Sequence, residues 1–153
     1  MPTVSLIFML MAAFALKHFI ADFPLQTTWM ALNKGTYGHL GGVMHAGIHA
    51  TFTLVILLAF LPLLHPQEVS AFLVAICLGL ACGEYLLHYT IDWAKMNADR
   101  QLHCSEVVLE GGKPKGRLIT STYYYWMLGF DQLLHGLTYV LIGWVFVMAA
   151  TAP

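Results

Sequence analysis

Four long apolar blocks restrict the folds that this sequence can adopt. They lie at about residues 3–22, 41–64, 69–94 and 120–149, and each contains few charged side chains. A helix needs roughly 20 residues to cross the hydrocarbon core of a bilayer, because each residue adds about 1.5 Å. The sequence therefore predicts an all-α, polytopic membrane protein with four transmembrane helices in a bundle.

The composition agrees with a membrane protein and excludes other classes. Apolar residues make up 59% of the chain and charged residues 10%, whereas a soluble domain has about 45–50% and about 25%. Seven basic and eight acidic side chains give a net charge of −1, so nucleic acid is not expected as the main partner. The expected partner is membrane lipid. The length predicts a single domain over residues 1–153, and the oligomeric state stays open.

The connections between the blocks predict three different structures. After the first span, Pro24 can lie in the first turn of a short interfacial helix that Gly35 ends. Residues 65–68 predict a tight turn, and residues 95–117 form the only long polar stretch, with a flexible loop expected over residues 111–116.

The basic residues predict an orientation in the membrane. Lys34 lies in the first connection, and five lysines and arginines lie in the third, between residues 95 and 117. The positive-inside rule places both connections in the cytoplasm. Both termini are then predicted to be periplasmic.

Ionisable side chains inside the four spans indicate a functional site. Each span contributes one pair spaced i and i+4, which places both side chains on one face of the helix. The pairs are His18 and Asp22, His45 and His49, His88 and Asp92, and Asp131 and His135. All four pairs fall toward the cytoplasmic end of an alternating bundle, so we expect the eight groups to converge at one level.

Histidine and aspartate together predict a metal site. They are ligands that zinc, manganese and iron accept, and helical bundles hold two metals between inward-facing pairs on facing helices. Eight ligands suffice for two divalent ions. Asp92 and Asp131 are the predicted bridges, because a carboxylate has two oxygens. Asp22, nearest a helix end, is the predicted general base, so Asp22 and Asp131 are the expected catalytic residues.

Two other interpretations of the eight groups remain open. They can form a hydrogen-bonded network that only holds the helices together, or a relay for protons or ions. Glu84, one turn deeper than His88, can be a ninth ligand, a partner of a ligand or part of such a relay. Lys95 can pair with Asp92 or bind an anionic head group, and Gln26 and Gln132 can orient ligands or substrate.

The segments around the pairs resemble a known family. HFIADFPLQTTWMALNK, HYTIDWAK and FDQLLH, together with His45 and His49, are similar to a bacterial and phage inner-membrane family known as domain of unknown function 3307. The resemblance implies a small multi-span protein of the bacterial inner membrane and no assigned activity. By residue type alone, the pattern is also loosely similar to membrane-bound metal-dependent hydrolases, a likeness that assigns no substrate.

Hydrolysis is the chemistry that the pattern favours. One metal lowers the pKa of bound water to about 7, and a second stabilises the opposite oxygen of a phosphoester. A site at the head-group level suits a lipid phosphate or a soluble phosphoester. A di-iron oxidoreductase is the alternative, although the tight histidine clusters of membrane desaturases are missing. A metal or proton transporter would need polar residues through the other half of the membrane as well.

Overall fold

Helices make up most of the protein. The computed structural model describes residues 3–64 and 69–151, and the predicted turn at residues 65–68 lies outside these ranges. In chain order the elements are α1 (Thr3–Asp22), α2 (Thr28–Asn33), α3 (Leu40–Leu64), α4 (Ala71–Gln101), β1 (Ser105–Glu110), β2 (Lys113–Ile119) and α5 (Tyr123–Ala150). Helices α1, α3, α4 and α5 are long and apolar enough to cross a membrane. The predicted all-α architecture of a multi-pass membrane protein is confirmed.

The predicted short helix after the first span is found, but Pro24 is not in its first turn, because α2 begins at Thr28. Helix α2 begins after Thr27, whose hydroxyl oxygen accepts a hydrogen bond from the backbone N–H of Met30 at 3.3 Å. Such a cap satisfies one of the free N–H groups of the first turn. Helix α4 begins in the same way, with the Ser70 hydroxyl accepting from the backbone N–H of Leu73.

The four long helices alternate in direction, and one half of the bundle has an apolar core. We call it the apolar half. Its buried side chains come from the beginning of α1, the end of α3, the beginning of α4 and the end of α5. They are Leu10, Phe14, Leu57, Leu61, Leu73, Cys77, Tyr139, Ile142, Phe146 and Ala150. The opposite half, which includes α2 and the strands, is called the polar half.

The prediction for the third connection is wrong. Helix α4 continues to Gln101 rather than ending near residue 94, and residues 105–119 form an antiparallel β-hairpin instead of containing a flexible loop. Gly111 and Gly112 have φ angles of 58° and 75°. Positive φ at both positions of a two-residue turn matches the twist of a hairpin, which glycine permits without steric cost.

The hairpin is attached to the end of α4 by a buried carboxylate. The Oδ2 atom of Asp99 accepts hydrogen bonds from Ser105 Oγ at 2.5 Å and from Arg117 Nη1 at 2.6 Å. Arg117 Nη1 also donates to Ser105 Oγ at 2.8 Å. Because β2 in addition contacts α2, the hairpin lies across the polar end of the bundle.

Candidate metal centre

The structure places all eight predicted site residues in the polar half, on four different helices. Six of them are buried: His45, His49, His88, Asp92, Asp131 and His135. The side chains of His18 and Asp22 are 12% and 11% exposed. The i, i+4 spacing explains why the pairs converge, because both members of a pair lie on the same face of their helix, and that face points toward the bundle axis.

A first group of possible ligands combines three helices. Asp22, His45, His49 and His88 each offer one ligand atom, and these atoms all lie within 4.8 Å of one another. Asp22 Oδ1 is 3.2 Å from His45 Nε2 and 3.1 Å from His49 Nε2. One carboxylate oxygen therefore faces two imidazole nitrogens.

A second group adjoins the first through His88. Its members are His88, Asp92 and His135, again with one ligand atom each within 4.8 Å. The imidazole rings of His88 and His135 stack with centroids 4.1 Å apart. Because His88 belongs to both groups, the two candidate sites are neighbours.

Three ligand atoms near the boundary of the groups form a compact triangle. Asp92 Oδ2 lies 3.2 Å from His45 Nε2 and 3.4 Å from His88 Nε2, and the two nitrogens are 3.3 Å apart. Atoms bound at about 2.0–2.2 Å to a tetrahedral zinc ion are roughly 3.3–3.6 Å from one another. The spacing of these atoms is thus close to that of ligands around one ion.

His45 shows why hydrogen bonding alone describes this arrangement poorly. Its Nε2 atom has three close neighbours, one from each of Asp22, Asp92 and His88, at 3.2, 3.2 and 3.3 Å. An imidazole nitrogen carries at most one proton, so it can make one well-directed donor bond among these three contacts. A cation between the atoms would satisfy all of them.

His18 and Asp131 lie at the edge of the cluster, outside both groups. His18 Nε2 is 3.0 Å from Asp22 Oδ2 and 3.0 Å from Gln132 Oε1, and its Nδ1 is 2.9 Å from the Tyr139 hydroxyl. Asp131 Oδ1 is 3.5 Å from His135 Nε2 and has no hydrogen-bond partner among the described residues. Gln132 donates to the other oxygen of Asp131 at 3.3 Å.

A cavity of about 480 Å³ connects the cluster with the polar end of the bundle. Asp22 and Asp131 reach it from the cluster. Four basic residues also line it, coming from the α2–α3 connection, α4 and β2. They are Lys34, Lys95, Lys115 and Arg117. Lys34, Lys115 and Arg117 are each paired with a carboxylate, whereas Lys95 forms no ion pair with a described residue.

Comparison with known proteins adds a family. A family described as a protein of unknown function, DUF3307, matches residues 9–152. The chain belongs to the DUF3307 family. No curated protein and no solved structure matches it. The family description states no activity, so function has to be argued from the site.

The sequence pattern does not reveal the partner of Asp92 in this DUF3307 protein. Lys34 Nζ donates to Asp92 Oδ1 at 2.7 Å, and Lys34 is buried. Burial alone would lower the pKa of Lys34, but the negative charges of Asp92 and Asp22 and the hydrogen bond raise it above its ordinary value. Lys34 is therefore charged at neutral pH, and Asp92 keeps its Oδ2 atom for the histidines.

The structure pairs the candidate residue Glu84 with Lys17, one turn deeper in the bundle. Both side chains are almost completely buried, at 3% and 1% exposure. Lys17 Nζ also donates to the main-chain oxygen of His49 at 3.2 Å and lies 4.4 Å from the centroid of the Tyr139 ring. A lone lysine inside an apolar span is the sequence signal that could have identified this pair.

Proposed function

We propose that this protein is a membrane-embedded, metal-dependent hydrolase with two divalent transition-metal ions, zinc, manganese or iron, in its polar half. The observation that carries the proposal is the convergence of His45 Nε2 with three other ligand atoms, because one proton cannot satisfy those contacts. The adjoining groups that share His88 favour two ions over one. The preference of these metals for histidine and carboxylate ligands supports the same assignment.

All eight predicted residues have a place in this proposal. Asp22, His45, His49 and His88 would hold one ion, and His88, Asp92 and His135 would contribute to the other. His18 orients Asp22 through their 3.0 Å contact. Asp131 is beside His135, and a small shift would bring its free Oδ1 atom into the second ion's ligand shell.

The proposed substrate is a phosphoester or a lipid head group. Bound ions would supply a hydroxide nucleophile at neutral pH and Lewis-acid stabilisation of the developing charge. Lys95, which lines the cavity and forms no ion pair with a described residue, would draw the anionic phosphoryl group toward the cluster. Asp22 and Asp131 line the same cavity, so either carboxylate can accept a proton from an attacking water.

We place the polar half at the cytoplasmic face of a bacterial inner membrane, with both termini in the periplasm. Lys34 and the five basic residues between 95 and 117 all belong to the polar half or to its hairpin. The positive-inside rule assigns such an end to the cytoplasm. Reporter fusions at the C-terminus test this orientation, and a cytoplasmic C-terminus would contradict it.

A purely structural network is the second candidate. It is favoured by the direct contacts between Asp22 and three histidines, which hydrogen bonds can partly explain. A di-iron oxidoreductase would use the same ligands and is separated from a hydrolase by metal identity and substrate. A transporter is less well supported, because the core of the apolar half consists of the mainly aliphatic and aromatic side chains given above.

Metal analysis of protein purified without chelators tests the proposal. We expect up to two transition-metal ions per chain, and the largest loss in the His88→Ala variant because His88 belongs to both groups. The Asp131→Asn variant keeps the shape but removes a charge, so metal content and hydrolysis of a phosphoester panel should fall together. His39→Ala is the matched control, since His39 lies before α3 and outside both groups.

Two results would overturn the metal centre. One is wild-type protein that neither carries nor takes up a transition metal. The other is a His88→Ala variant that inserts normally and keeps full metal occupancy. Metal binding without hydrolysis of any phosphoester would instead remove the hydrolase assignment and leave the metal site.

A further inference from the structure

A second cavity opens on the outer surface of the bundle, between α4 and α5. It has a volume of about 570 Å³ and an almost entirely apolar lining, which includes Ile91, Ala94, Trp126, Met127, Phe130 and Leu134. We call it the α4–α5 groove. Trp126 and Phe130 are 78% and 61% exposed. In a membrane-spanning bundle this surface faces lipid, so the groove is open to acyl chains.

The α4–α5 groove meets the cavity of about 480 Å³ described above, here called the basic cavity, at two residues. Lys95 and Asp131 line both spaces. Asp131 in turn lies beside His135 of the second ligand group, 3.5 Å away. A molecule with its chain in the groove would therefore place its head group next to the candidate metal centre.

The charge at this junction selects the head group. Three of the four basic residues form ion pairs: Lys34 with Asp92, Lys115 with Glu110, and Arg117 with Asp99. Lys95 forms no ion pair within the described part of the chain, and its Nζ lies 5.4 Å from the centroid of the Tyr124 ring. The carboxylate of Asp131 is at the same junction but forms no salt bridge with Lys95. An ammonium without a salt bridge at the mouth of an apolar groove favours a ligand with an anionic head and an apolar tail.

A groove of similar size elsewhere on the bundle lacks this feature. It lies between α3 and α4, has a volume of about 490 Å³, and is lined by residues such as Ala50, Leu54 and Leu86. No charged side chain of the described residues lines it. This second groove has no charge that could select a lipid by its head group. The groove therefore serves as an internal comparison.

We propose that the substrate is an anionic membrane phospholipid that enters sideways from the bilayer, with an acyl chain in the α4–α5 groove and its phosphate at Lys95. The role of this lipid as a substrate rests on the proposed hydrolase function, but its binding site does not require turnover. Lateral access explains why a groove open to lipid reaches a buried polar cluster. A soluble phosphoester would need only the basic cavity.

Lipid retention by the full-length protein tests the site without any hydrolysis. Detergent-solubilised protein is stripped of lipid, incubated with phosphatidic acid or phosphatidylcholine at equal concentration, and analysed by native mass spectrometry. We expect preferential retention of phosphatidic acid by the wild type. Ala94→Phe fills the groove and should weaken this retention at least about tenfold. Ala50→Phe introduces the same side chain into the comparison groove and should leave retention unchanged.

A second variant addresses the head group separately. Lys95→Gln should abolish the preference for phosphatidic acid over phosphatidylcholine while weak binding of both lipids persists. Gel filtration shows whether each variant folds. If Ala94→Phe does not fold, Lys95→Gln still tests the proposal. The proposal would be overturned if the wild type retained phosphatidic acid and phosphatidylcholine equally, or if Lys95→Gln kept the wild-type preference. It would also be overturned if Ala94→Phe and Ala50→Phe reduced lipid retention by the same amount.

The failure of this inference can be told apart from the failure of the proposed function. If the protein binds metal and hydrolyses soluble phosphoesters but shows no lipid preference, the lateral site is wrong and the hydrolase stands. If the lipid preference and its loss in both variants are observed without metal or hydrolysis, the lipid site stands and the hydrolase is wrong.

Discussion

The same four helices form the apolar half and the polar half, and each half contains almost completely buried side chains. Leu10, Phe14 and Leu57 are at most 1% exposed in the apolar half, and so are His45 and His88 in the polar half. The difference lies in what burial costs. Apolar side chains exchange lipid contacts for protein contacts at little cost. Ionisable side chains in the hydrocarbon region are expensive unless partners satisfy them.

This contrast indicates different roles for the two halves, with packing of the helices in the apolar half and chemical function in the polar half. The packed side chains of the apolar half join the four helices through van der Waals contacts. The polar half adds a cluster of histidines and aspartates that packing does not require. A bound cation would offset the cost of burying them, which is why a metal centre explains the polar half better than a scaffold does.

The Lys17–Glu84 pair lies between the two halves, and breaking it should have the largest effect. Glu84→Gln keeps the shape but leaves a buried ammonium without its counter-charge, so we expect a loss of about 3 kcal/mol of stability. Reversible unfolding in mixed micelles measures it. In the double variant Lys17→Met with Glu84→Met, most of that loss should disappear because no charge remains. A double variant as unstable as Glu84→Gln would contradict this account.

Leu57 tests whether the apolar half is independent of the cluster. Leu57→Ala leaves a void in the core and should cost roughly 2 kcal/mol, with metal content unchanged. Its neighbour Leu58 is 39% exposed, so Leu58→Ala is a matched control with a smaller expected loss. If Leu57→Ala also reduced metal content, the two halves would be coupled and the comparison would fail.

Hydropathy and spacing predicted the four spans and the convergence of the i, i+4 pairs, because both depend on the geometry of one helix at a time. His45 and His88 are on different helices, but each was found from its own partner one turn away. The bonds between helices were harder to predict. Lys95 was a candidate partner for Asp92, whereas the structure pairs Asp92 with Lys34.

That pairing depends on how closely α2 and the start of α3 approach α4. A Cβ atom at Gly35 would lie 2.6 Å from Met96 Cβ, so only glycine allows this approach, and no periodic pattern reveals it. The hairpin escapes sequence patterns for a related reason. Its attachment joins Asp99 to Ser105 and Arg117 across the chain, whereas the glycines of the turn by themselves indicate only a flexible loop.

Two glycines of α5 give the finest test of packing in the apolar half. A Cβ atom on Gly143 would collide with the end of the Met11 side chain, whereas one on Gly136 meets no described atom within 4 Å. Gly143→Ala should therefore cost about 1 kcal/mol through overpacking, while Gly136→Ala should be neutral or gain up to about 1 kcal/mol from helix propensity. Unfolding of the two variants under identical conditions measures the difference. Adding Met11→Ala to Gly143→Ala should remove the penalty if that contact is its cause. Should Gly143→Ala instead match Gly136→Ala, Met11 moves aside freely, and close packing at this point does not hold α1 against α5.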